Sequence, residues 1–236
     1  MTPGGAALLP PRSLFSASVA FTGWGEGDMG HGGRRVVEVD EAVAARRRAV
    51  VDLPWTWLRQ VHGARVVRVD GPGGQAGAVA DAAVSDVPGA VLAVLTADCA
   101  PIALASPEGV IGVAHAGWRG VVAGVVGATV REMRAVGAGE IRAVVGPCIR
   151  PGCYPFGHAD LALVAAKLGD GVRSTTTGGA PALDLGTAVR TALLDADLDE
   201  CHVTDVGTCT ACSTDPQQFS WRARKELARQ ATVVWR

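Results

Sequence analysis

The chain has 236 residues, which fits one large domain or two small ones and is enough to bury a sizeable core without disulfide or metal staples. Its 22 basic residues against 23 acidic ones, with an isoelectric point near 6.5, create no global field for gripping a polyanion, so the charge balance argues against nucleic acid and for small-molecule chemistry. A hydrophobic content of 48% raises the question of a membrane, but the most apolar stretch, Val110 to Val130, contains His115, Arg119 and several glycines and reads as strand, turn and buried helix.

Residues 1–12, MTPGGAALLPPR, lack a basic segment followed by a long apolar run. They read as a disordered or extended tail ahead of a single domain over 13–236, in the cytoplasm. The glycine-rich FTGWGEGDMGHGG carries His31 in a loop, and apolar spacing then predicts a helix over Glu41 to Val50. Apolar runs bounded by turn residues predict buried strands in LRQVHGARVVRVD from Leu58, GAVLAVLTADC from Gly89, PIALAS from Pro101 and GVIGVAH from Gly109. A helix follows from Trp118 to Ala135, in which Gly120, Gly124 and Gly127 would form one smooth packing face. Beyond it come a strand in IRAVVGPC from Ile141, helices over Asp160 to Leu168 and Leu185 to Ala196, and a strand in CHVTDVG from Cys201. Gly71 to Gly77 and Thr175 to Pro181 read as surface loops, and His158 as exposed in another. The alternation predicts an α/β or α+β domain with mixed sheets layered between helices, an α-β-β-α sandwich.

Chemistry concentrates at three ends of apolar runs. His115 sits where a strand gives way to the glycine-rich AHAGWRG, and His62 in RQVHG and Cys99 in LTADC occupy similar borders. Two imidazoles and a thiolate suit Zn²⁺ and leave the fourth tetrahedral position open, the arrangement of a catalytic site. The same residues also permit a metal-free reading, with Cys99 as nucleophile and His62 or His115 as base. Asp98 could orient a histidine or a substrate hydroxyl, or simply accept backbone N–H bonds in its turn. Arg119 and the amides of Gly117 to Gly120, at the expected helix start, are candidates for an anion. Of the six cysteines, Cys148 reads as a small apolar residue; Cys201-His202, Cys209 and Cys212 hint weakly at a second metal, since only one CxxC is present. Trp55, Trp57 and Trp221 read as core material or as platforms for a planar ligand.

Together RQVHG, LTADCAPIAL, GVAHAGWRG, VVGPCI and the late CT…FSWR resemble the bacterial laccase-domain family, from about Leu58 to the C-terminus. That family carries the labels multicopper polyphenol oxidase, peptidoglycan editing factor, and purine nucleoside phosphorylase with adenosine deaminase activity. The resemblance implies a metal and catalytic site on His62, Cys99 and His115, zinc as cofactor with copper as an alternative occupant, and nucleoside and phosphate as partners. It also implies phosphate or substrate contacts from Arg119, Gly117 and Arg222. Two departures stand out. The family's TTRxGGxS segment is replaced by FTGWGEGDMGHGG, with no arginine after Thr22, and FSYRR becomes FSWRARK, which keeps Phe219, Ser220 and Arg222. The oxidase label meets an arithmetic obstacle, because five histidines leave only His31, His158 and His202 for a multinuclear copper cluster. The editing label implies an amidase using the same groups, and a non-enzymatic partner in wall synthesis is the reading from another class.

Overall fold

The computed structural model describes residues 9–30, 40–215 and 217–236; His31 and the first eight residues lie outside them. The first sheet contains β1 (Leu9–Leu14), β2 (Ala17–Phe21), β3 (Trp55–Arg59), β5 (Ala78–Val79), β7 (Val91–Thr96) and β14 (Gln230–Trp235), in the order β1-β2-β14-β7-β3-β5. The second contains β4 (Val66–Arg68), β6 (Ala82–Ser85), β8 (Ala100–Ala105), β9 (Ile111–Ala116), β10 (Arg142–Val145) and β13 (Val203–Asp205), in the order β13-β10-β8-β9-β6-β4. A small hairpin, β11 (Arg173–Thr175) with β12 (Pro181–Leu183), stands apart. Helices are α1 (Glu41–Val50), α2 (Trp118–Ala123), α3 (Val125–Ala135), α4 (His158–Leu168), α5 (Leu185–Leu194) and α6 (Trp221–Arg224).

Strand periodicity builds the layers. In β7, Leu92 and Val94 enter the core shared by the two sheets, while Val91 and Ala93 pack on the outer face with Met29, Val51 and Trp55 beside α1. In β8, Ala103 and Ala105 face the first sheet, whereas Ile102 and Leu104 face α3 and α5. Small alanines between the sheets and larger residues under the helices let both interfaces close, and each fully buried Leu, Ile or Val contributes about 1.5–3 kcal/mol. The α-β-β-α sandwich expected from the sequence is the architecture found.

Some elements differ from expectation. The supposed tail enters the sheet, since β1 begins at Leu9 and pairs antiparallel with β2. The run from Leu58 is split between sheets, with β3 in the first, β4 in the second and His62 in the connection. The helix from Trp118 is interrupted at Gly124, whose φ of 91° ends α2 before α3 starts. The expected smooth glycine face is therefore absent: a Cβ at Gly124 would meet nothing within 4 Å, while one at Gly120 would approach the Gly63 carbonyl oxygen at 3.2 Å. The Thr175 to Pro181 loop is the β11–β12 turn, and exposed His158 opens α4 instead of lying in a loop.

The topology also makes an active edge. Strands β3, β5 and β7 run parallel in the order β7-β3-β5, so their C-terminal ends share one edge. From that edge each chain crosses to the second sheet, through residues 60–65, 80–81 and 97–99 respectively. The end of β9 arrives at the same place, because its antiparallel register sets His115 opposite Pro101 and Ala116 opposite Ala100 at the start of β8.

Candidate metal centre and its cavity

His62, Cys99 and Asp81 each occupy one of those crossovers, and His115 continues the inward face of β9 after Ile111 and Val113. The ligand atoms of His62, Cys99 and His115 lie within 4.8 Å of one another. Cys99 Sγ is 3.7 Å from His62 Nε2, and the two imidazole rings meet edge to face at a centroid distance of 4.8 Å. His62 is exposed, Cys99 half-buried and His115 buried, so the trio opens on one side only.

Asp81 holds the trio in shape. Its buried carboxylate accepts the N–H groups of His62 and Gly63 at 2.8 Å each and of Val61 at 3.2 Å, clamping the loop that carries the first ligand. The clamp offsets the left-handed backbone of His62, φ 60°, which costs about 1–2 kcal/mol in a non-glycine residue. Asp81 Oδ1 also accepts from His115 Nδ1 at 2.9 Å, and the Asp81 carbonyl accepts the His115 backbone N–H at 2.7 Å. The His115 ring is thereby fixed with Nε2 on the side of Cys99, the carboxylate–histidine arrangement that orients metal ligands. Burial pushes the Asp81 carboxyl up, but the bonds from His115, Gly63 and Val61 outweigh it and hold it below the usual carboxylate range.

Asp98, at φ 95°, braces the far side. Its Oδ1 accepts from the hydroxyls of Thr210 and Ser220 at 2.7 Å each, and Oδ2 accepts the Arg222 N–H at 2.6 Å. It thus ties the Cys99 turn to two distant segments, and the N–H it accepts comes from Arg222 instead of from its own turn. Gly117 packs directly behind the ligands: a Cβ there would lie 2.8 Å from His62 Cδ2 and 2.9 Å from Cys99 Sγ. It stands behind the ligands and outside the residues that line the cavity, where its small size gives clearance. Helix α2 is only six residues long, and the cationic groups at the cavity are side chains.

That cavity, about 610 Å³, opens onto the trio and is walled by Trp118, Tyr154 and Trp221 together with Arg119, Arg222 and Arg229. Arg119 lies 4.2 Å over the Trp118 ring, and Arg222 4.8 Å over Tyr154 while donating to the Pro155 carbonyl. Among the described residues none of these three guanidinium groups pairs with a carboxylate. Buried Thr96 Oγ1 lacks a hydrogen-bond partner there and belongs to the same wall.

Residues 28–236 match the family described as multi-copper polyphenol oxidoreductase laccase. The chain belongs to this family. It is 38% identical over 237 residues to a purine nucleoside phosphorylase of Streptomyces griseus, covering 93% of this chain and 94% of that one. It is 40% identical over 188 residues to a purine nucleoside phosphorylase of Xylella fastidiosa, with 76% and 71% covered. Among solved structures it resembles YlmD of Geobacillus stearothermophilus, 28% identical with a TM-score of 0.78 over 94% of this chain and 93% of that one. The Bacillus licheniformis protein YfiH is 25% identical, also with a TM-score of 0.78, over 93% and 92%.

The fold brings His62, Cys99 and His115 together, and Arg119 and Arg222 reach the same cavity. Cys148 is fully buried, and its thiol is pushed up to about 12 by burial. Trp55 is core and Trp221 cavity wall. Cys201 and His202 stand away from Cys209 and Cys212, whose neighbour is Cys153; His202 contacts Glu140 instead. Asp81, Tyr154 and Thr96 escaped sequence reasoning. For Asp81 the available signal was an isolated acid inside the apolar AVADAAV.

The metal-free trio has a definite proton distribution. Burial raises the Cys99 thiol, but the charges and hydrogen bonds of His115 and His62 prevail and bring it from 9.0 down to about 6. Burial lowers His115, but Cys99 and Asp81 prevail and raise it from 6.5 to about 9. The Cys99 shift adds stability as pH rises from about 6 to 9, and the His115 shift removes stability as pH rises from 6.5 to about 9. The two oppose each other, since folding only moves one proton from sulfur to imidazole. Chelator-stripped protein should therefore show nearly flat stability from pH 6.5 to 9, with Cys99 alkylation rising through a midpoint near 6. A midpoint at an ordinary thiol value, measured by mass spectrometry on iodoacetamide-pulsed protein, would contradict the ion pair.

Proposed function

We propose that the protein is a zinc-dependent purine nucleoside enzyme whose one domain takes in β1 from Leu9, cleaving adenosine, inosine or methylthioadenosine with phosphate and deaminating adenosine. The observation that carries this reading is the junction of a two-histidine, one-thiol cluster with an aromatic and cationic cavity of about 610 Å³. That volume lies in the range of small-molecule sites. The donor set fits a borderline-soft divalent ion, His115 already has its outer nitrogen committed to Asp81, and Gly117 leaves room that any side chain would fill. His62, Cys99 and His115 would hold the metal, which supplies Lewis acidity when bound.

The protein's own residues account for the rest. Trp118, Tyr154 and Trp221 offer faces for a planar base. Arg119 and Arg222, joined by Arg229, present guanidinium forks for phosphate, so an oxygen of phosphate can be held for attack at C1′. The C1′–N9 bond then breaks, the base leaves and takes up a proton, and the sugar 1-phosphate remains, ribose 1-phosphate from adenosine or inosine and 5-methylthioribose 1-phosphate from methylthioadenosine. In deamination water adds at C6 and ammonia departs, with no phosphate involved.

The laccase description is less well served. Among the described residues the metal-type groups are this trio and a three-cysteine cluster, and neither His158 nor His202 joins an imidazole cluster. Among the described residues no helix is long and apolar enough to cross a membrane. The test is to incubate pure protein with adenosine, inosine and methylthioadenosine, with and without phosphate, and to measure its metal. Expected are free base with the sugar 1-phosphate (ribose 1-phosphate, or 5-methylthioribose 1-phosphate from methylthioadenosine) only when phosphate is present, inosine from adenosine without it, and loss of both in Cys99→Ala. No product under any condition, or copper-dependent phenol oxidation in their place, would overturn this reading.

A further inference from the structure

The crossover trio is not the only cluster of metal-type groups among the described residues. Cys153, at the end of a 3-10 turn over Pro151–Cys153, meets Cys209 and Cys212, with all three sulfurs within 4.8 Å of one another. Tetrahedral Zn²⁺ with bonds of about 2.3 Å sets sulfurs about 3.8 Å apart, so binding asks for shifts of about an ångström or less. Cys153 and Cys209 are half-buried and Cys212 exposed, which leaves the fourth direction toward solvent.

The backbone is already arranged around one sulfur. The Arg150 N–H donates to Cys209 Sγ at 3.4 Å, and the Cys209 carbonyl accepts the Ser213 N–H at 3.0 Å, closing the CTAC turn. Although burial raises the Cys209 thiol, the N–H groups of Arg150, Cys212 and Ala211 outweigh it and lower it, while the hydrogen bond with Cys209 raises Cys212. Cys209 is therefore the acceptor of the cluster, with amides directed at its sulfur. The Cys209 strand bridge to Cys148 and the Arg224 bonds to the Ala211 and Thr210 carbonyls fix the segment from both sides.

We propose that Cys153, Cys209 and Cys212 form a second, all-thiolate site for Zn²⁺ that fastens the cavity wall. Tyr154 follows Cys153 directly, and Thr210, between Cys209 and Cys212, donates to Asp98 beside Cys99. A metal at this site locks those two segments together without touching substrate. Three thiols bind as three thiolates, with their protons released to solvent.

The experiment uses full-length protein stripped by chelator and titrated with Zn²⁺ and with Co²⁺. Wild type should take up two equivalents and Cys99→Ala one, with an all-sulfur protein shell in X-ray absorption and a thiolate-to-cobalt band in the near ultraviolet. Adding Cys212→Ser should abolish that remaining equivalent, and so should adding Cys153→Ser, which covers the case in which one variant fails to fold. No bound equivalent in Cys99→Ala, a nitrogen-rich shell in that variant, or a disulfide between two of the three cysteines in freshly purified protein would overturn the proposal. Because the readout is metal content and ligand type, failure of the nucleoside reactions leaves it standing.

Discussion

Replacing Asp81 by Asn should lower metal affinity about 10–100-fold, the usual consequence of removing the group that orients a ligating histidine. The side chain keeps its shape, so the effect isolates charge and hydrogen-bond polarity. Both carboxylate oxygens are engaged: Oδ1 accepts from His62 N–H and His115 Nδ1, Oδ2 from Gly63 N–H, and Val61 N–H reaches both. Whichever way an amide turns, its NH₂ faces an N–H donor, and each bond left unmade costs about 1–3 kcal/mol. Asp81→Ala removes every side-chain acceptor of that clamp and takes the carboxylate from the buried His115 imidazole, a loss of about 3–5 kcal/mol. For a chain of this size that corresponds to a fall in Tm of about 6–20 °C. Chelator competition gives the affinity and thermal unfolding of metal-free protein gives the stability. Unchanged affinity in Asp81→Asn would remove this carboxylate from the design of the centre.

The three candidate ligands were legible because each ends an apolar run, and strand ends are where a rigid backbone meets a crevice. Their convergence was not, since it depends on three parallel strands crossing to a second sheet at one edge, and the run from Leu58 reads as continuous although the chain changes sheets around His62. Asp81 stayed hidden for a related reason. A lone acid among alanines and valines looks like an interruption until its oxygens are counted against the amides of residues 61–63. Cys153 is likewise remote in sequence from the CTAC turn it joins, and the sequence pointed instead to adjacent Cys201 and His202, which the strand β13 carries elsewhere. The break at Gly124 was invisible to periodicity, because the apolar spacing on either side is helical and only the positive φ separates α2 from α3.

Gly117→Ala should reduce metal affinity at least tenfold while leaving the fold intact. At φ −71° and ψ 158° the position accepts any residue, so backbone strain plays no part. The added methyl carbon would sit 2.8 Å from His62 Cδ2 and 2.9 Å from Cys99 Sγ, where contacts of about 3.5–4.0 Å are required. Relief must come from one of those ligands, and neither has slack: Asp81 pins the His62 backbone, and Asp98, next to Cys99, is tied to Thr210, Ser220 and Arg222. Since metal sites tolerate only about 0.2 Å in ligand distance, a displacement of several tenths of an ångström spoils the geometry. Gly124→Ala is the contrasting case, because it forces alanine into a left-handed conformation at about 1–2 kcal/mol with open space around it. Zinc titration and thermal unfolding on the two variants should separate cleanly, with affinity lost in the first and stability in the second. Wild-type affinity in Gly117→Ala would mean that the ligand loops give way more easily than their hydrogen bonds imply.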